Sequence, residues 1–161
     1  MYKHAIVPLD GSPLAEAILP FLIKIAGPLD MHLTLLRVVE PIPPQVAEGS
    51  RHVILEDIEG RRREAETYLA PIARTLERRG IAVSCQVRRG QPVQEILDAA
   101  RESRADLIAM GTHGRSGLGR LLFGSVAEAV LRQADAPVFL MRQTEKHLAT
   151  LATQAAVTAD R

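Results

Sequence analysis

Short apolar runs alternate with stretches of helical periodicity along this chain, and that alternation constrains the fold more than any single residue does. Ala5-Ile-Val-Pro-Leu9 opens the series as a strand. Ser12 suits a helix N-cap and Pro13 the first helical position. Leu14, Ala17, Ile18, Phe21, Leu22 and Ile25 then recur at helical spacing up to Gly27-Pro28, with Pro20 expected to kink or shorten the helix. Met31 to Val39 reads as the second strand, and the proline-rich residues 40–50 as a loop. A long charged helix is expected to about Arg79, kinked or divided at Gly60 and Pro71, with Gly80 as its C′ residue. Ile81 to Val87 alternates as a half-exposed strand should, and Gln91-Pro92 opens a helix carrying Val93, Ile96, Leu97 and Ala100. Leu107 to Met110 is the fourth strand, a last helix begins at Val126, and Val138 to Met141 is the fifth strand. Strands separated by helices pair in parallel through right-handed crossovers. The chain therefore reads as a single-domain α/β protein, a doubly wound five-stranded parallel sheet with helices on both faces.

Composition excludes several functions. There is no Trp, and Phe and Tyr number 3 and 2, which leaves no aromatic platform for single-stranded nucleic acid. A formal net charge of +1 gives no bulk electrostatic footprint for nucleic acid. No apolar run approaches the ~20 residues that span a bilayer. Met1 leads almost directly into a strand, without the pattern of a signal peptide, and the single Cys85 has no disulfide partner. A cytoplasmic protein is expected. Cys85 reads as a small packed residue on its strand. The histidines lack metal-ligand spacing, so no metal site is expected.

The segment that carries chemistry lies between the fourth strand and the last helix. Gly111-Thr-His-Gly114-Arg115 leads through further glycines to Gly124-Ser125, a spacing of Gly-x2-Gly-x9-Gly-Ser. Strand, glycine-rich loop and helix start in that order make a phosphate cradle, because the helix start offers unpaired N–H groups and the positive end of its dipole. Arg115 adds a guanidinium suited to a phosphate, or a solvated loop charge. A Walker loop needs Gly-x4-Gly-Lys-Ser/Thr, and the dinucleotide fingerprint needs Gly-x-Gly-x-x-Gly after the first strand; neither aligns here. Ser116 makes no nucleophile elbow, since Leu118 stands where a glycine is required. No catalytic residue is assigned. The bland alternative for the glycines is a tight structural loop with Ser125 as a helix cap.

With its opening Ile6-Val-Pro8-Leu-Asp10-Gly-Ser12 and closing Ala136-Pro-Val-Phe-Leu-Met-Arg142, the glycine motif resembles the ATP-binding subgroup of the universal stress protein family over residues 1–142. Residues 143–161 lie beyond that domain as a polar C-terminal tail. The resemblance implies strand order 3-2-1-4-5, which brings the ends of strands 1 and 4 to one cleft. It implies adenine beside Pro8 and the Val38 backbone, and ribose near Asp10 and Gly111 at the end of the Met110 strand. Phosphates would lie on Gly114, Gly124, Ser125 and the Val126 N–H. ATP is the implied cofactor, with Mg²⁺ held mainly by the phosphates. The function implied is a nucleotide-dependent sensor or switch in stress response, with at most slow hydrolysis. A homodimer through the last strand, at Val138 and Leu140, is implied as well. The alternatives are a dimeric interaction protein that needs no nucleotide and an adenylating synthetase. The latter would carry Ser-Gly-Gly-x-Asp-Ser where this chain has Leu-Asp10-Gly-Ser12-Pro.

Overall fold

A computed structural model describes residues 2–41, 51–113 and 124–143. The five strands are β1 (His4–Pro8), β2 (His32–Val39), β3 (Val83–Arg89), β4 (Leu107–His113) and β5 (Val138–Gln143). The helices are α1 (Pro13–Glu16), α2 (Leu19–Leu29), α3 (Arg51–Glu77), α4 (Pro92–Glu102) and α5 (Ser125–Gln133). All pairings are parallel, in the order β3-β2-β1-β4-β5. Ala5 sits level with Leu33 on one side and Leu107 on the other.

Successive side chains of a strand point to opposite faces, so a sheet covered on both faces needs uninterrupted apolar runs. One face buries Ala5, Val7, Leu33, Leu35 and Ala109 against Ile18, Leu22, Leu69 and Leu76 of the α1–α3 side. The other buries Ile6, Leu36, Ile108 and Met110 against Ile96, Leu97, Ala127 and Val130 of α4 and α5. Each fully buried Leu or Ile contributes about 1.5–3 kcal/mol by leaving water. Among the described residues no helix is long and apolar enough to cross a membrane.

Three differences from the sequence expectations have local causes. The first helix is two helices: Ser12 caps α1 by accepting the Ala15 N–H, and Pro20 stands in the first turn of α2, where its missing N–H costs nothing. α2 then runs through Gly27 and Pro28 to Leu29. α3, conversely, is one helix through Gly60 and Pro71, ending at Glu77; Thr75 donates its hydroxyl to the Pro71 carbonyl at 2.9 Å. Its buried stripe of Ala65, Leu69, Ala73 and Leu76 holds the helix against the sheet despite the proline. Finally, β3 starts two residues late, at Val83, and leaves Cys85 exposed on the edge strand rather than packed. β4 and β5 reach beyond Met110 and Met141.

Three helices close alike, each delivering the chain into or towards a strand. After α3, the Ile81 N–H bonds the Leu76 carbonyl and the Gly80 N–H that of Glu77, with Gly80 at φ +75° as expected of a C′ glycine. After α2 and α4 the left-handed residue is Asp30 and Arg104 instead.

Candidate functional site

The strand order reverses beside β1, whose neighbours are β2 and β4. In open α/β sheets that point is where ligands sit, beyond the strand carboxyl ends. A cavity of about 1050 Å³ opens there. Eight of the residues named from the sequence line it: Pro8, Asp10, Val38, Met110, Gly111, Gly124, Ser125 and Val126. Gly114 and Arg115 lie outside the described residues.

The Asp10 side chain accepts the Ser12 N–H at 2.9 Å, a turn that swings the chain from β1 into α1. Burial works to raise its pKa, but hydrogen bonds from Ser12 and the Arg37 charge outweigh it and hold the carboxyl below the usual range. Asp10 is therefore ionised at neutral pH. A carboxylate has about four acceptor positions, so capacity remains for a ligand hydroxyl.

Also lining the cavity, α5 starts at Ser125 with Gly124, not Ser125, as the N-cap, and glycine brings no side chain to the cap. The Ser125, Val126 and Ala127 N–H groups have no acceptor among the described residues; the first intrahelical bond is from Glu128 to Gly124. Free N–H groups at the positive end of a helix form an anion site. Thr112, almost wholly buried, holds this start in place by accepting the Gly124 N–H at 3.3 Å. Gly111 has a packing duty of its own. A Cβ there would lie 2.5 Å from the Leu14 carbonyl oxygen, so only glycine lets α1 approach β4 this closely.

Sequence reasoning missed the residues on the α3 side of the cavity. Arg37, at the end of β2, donates to the Leu9 carbonyl at 3.4 Å, and its guanidinium carbon sits 5.8 Å from the centre of the Tyr68 ring. The Tyr68 hydroxyl donates to Glu16 at 2.8 Å. Burial, and then that bond to a carboxylate, pushes the phenol well above its usual pKa. Arg37 directly precedes Val38, which was the signal that could have found it. Nothing in the sequence marks Tyr68 or Glu16, which are 52 positions apart.

Comparison with known proteins places the fold in a family. The Universal stress protein family model matches residues 1–142. Universal stress protein MJ0531 of Methanocaldococcus jannaschii is 34% identical over 148 residues, spanning 91% of this chain and 85% of its own length. The solved structure of MJ0577, from the same organism, aligns with TM-score 0.75 and 28% identity over 90% of this chain and 99% of that one. A family protein from Arabidopsis thaliana, solved with AMP bound, shares the fold at TM-score 0.63 and 18% identity, covering 89% and 93%. Sheet order, the sequence match over residues 1–142 and the fold coincide, and the chain belongs to the universal stress protein family.

Proposed function

We propose that this cavity binds an adenine nucleotide, ATP with Mg²⁺, and that the protein is a cytoplasmic, homodimeric sensor or switch of stress response rather than an enzyme. One observation carries the reading. A single cavity at the switch point is lined both by an ionised carboxylate, Asp10, and by the start of α5, whose first N–H groups have no acceptor among the described residues. A nucleotide, with its hydroxyls and its phosphates, suits such a pair. Asp10 repels phosphate and accepts ribose hydroxyls; the N–H groups of Ser125 to Ala127, with the Ser125 hydroxyl, attract the phosphates. Pro8 and Val38 offer apolar surface for the base. The AMP-bound relative supports the ligand class.

No group of three or more His, Cys, Asp or Glu side chains clusters among the described residues, so Mg²⁺ would be carried by phosphate oxygens, whose charge it would offset. Hydrolysis needs a group that orients water and added positive charge at the terminal phosphate. We assign no residue to either role. Any ATPase activity is expected to be slow. Occupancy itself would be the signal, favouring one conformation or assembly.

The test is calorimetric titration with ATP and AMP. Ser125→Pro removes one N–H and the hydroxyl at a position where proline suits the helix, since Gly124 before it is already extended. It should weaken ATP about 10- to 100-fold with the fold intact by circular dichroism. Equal affinity in the variant contradicts the phosphate site. A second reading, an interaction protein needing no nucleotide, draws on the packing duty of Gly111 and the Thr112–Gly124 bond, which give the glycine region a structural role. Absence of binding at millimolar ATP and AMP would favour it.

A further inference from the structure

The turn that carries Asp10 is held by residues on the α3 side of the cavity. Its Leu9 carbonyl accepts from Arg37. Gly11, at φ +87°, lies beside the same guanidinium, with Arg37 Nη2 at 3.7 Å from where a Cβ would stand. The guanidinium also lies over the half-buried Tyr68 ring of α3. Tyr68 in turn bonds Glu16, the last residue of α1, which is the helix that the turn leads into. The turn and α1 are therefore gripped at both ends by two residues joined to each other. A guanidinium suits this place: it is planar, so it stacks on a ring, donates at its edge and keeps its charge.

We propose that Arg37 and Tyr68 are positioning residues for Asp10, a clasp that fixes the β1–α1 turn so that the carboxylate is presented to the ribose hydroxyls. Neither residue needs to touch the ribose. The lowered pKa of Asp10, to which the Arg37 charge contributes, fits this arrangement. Charged and titratable groups lining the cavity with Asp10 are Arg37 on β2, Glu40 just after it, and Arg61, Glu64 and Tyr68 on α3; Glu16 on α1 bonds Tyr68.

The inference rests on the nucleotide reading, and its test separates the two. ATP and 2′,3′-dideoxy-ATP are titrated against the full chain and against Arg37→Met, Tyr68→Phe and Asp10→Asn. The native protein should prefer ATP by about tenfold, the worth of a hydrogen bond to a charged acceptor. Arg37→Met should abolish that preference, as Asp10→Asn should, while affinity for dideoxy-ATP stays unchanged. Tyr68→Phe, which keeps the ring under Arg37, should reduce the preference partly and serves if Arg37→Met does not fold. Equal losses for both nucleotides in the variants would mean a general structural effect and overturn the clasp. So would a preference that survives both substitutions, or no preference in the native protein. The Asp10 carboxyl is also titrated by NMR without nucleotide. Its pKa should rise in Arg37→Met; an unchanged value overturns the clasp even if no nucleotide binds, an outcome that would itself refute only the ligand assignment.

Discussion

Gly111 is where packing and ligand chemistry meet at one residue. Its hydrogen faces the Leu14 carbonyl, and any larger side chain must push α1 off β4. Gly111→Ala should therefore cost about 1–3 kcal/mol of stability, the ordinary cost of forcing a group into a filled space. Urea denaturation measures it; an unchanged midpoint and slope would show that α1 yields freely. Such individual roles were unevenly legible. Pro8, Asp10, Met110 and Gly111 stand at the ends of the strands read from the sequence, a property of local pattern, and the family resemblance supplied the ligand roles of Pro8, Asp10 and Gly111. Arg37, Tyr68 and Glu16 did not, because their meaning lies in a contact that exists only after three separate elements have packed. Thr112 is an intermediate case. It sits inside the glycine motif, yet its bond to Gly124 spans 12 positions of chain.

Elements were legible through periodicity and their ends were not. The apolar repeat marks which segments are helices or strands, since it reflects the faces they bury. Ends depend on caps, and two of the three left-handed closures use Asp30 and Arg104, residues that carry no such signal. Pro20 and Pro71 show the same limit. One falls in a first turn, where proline is harmless, and the other within a helix whose buried stripe outweighs one lost bond. At the sheet edge, β5 pairs β4 on one side only among the described residues. Val138 and Leu140 there are partly exposed. An unpaired edge beside apolar side chains is a pairing surface, and we expect it to join two copies. Leu140→Lys should halve the mass seen by light scattering. A dimer mass that persists in the folded variant would contradict this interface.

Over the whole molecule, the doubly wound order does what no single motif can. It carries residues from the start, the first third and the last third of the chain to one cavity beyond β1, β2 and β4. The alternation of strands and helices made a doubly wound parallel sheet readable, and the family resemblance supplied its strand order. The cavity's α3 wall was not readable, since the long helix reaches the site through packing rather than through a strand end. The central claim is that the assembled cavity holds an adenine nucleotide. The most direct measurement is to denature freshly purified protein and identify released nucleotide by chromatography. The account predicts adenine nucleotide approaching one per chain, with ATP rebinding after stripping. A protein that releases none, and binds neither ATP nor AMP at millimolar concentration, would contradict it.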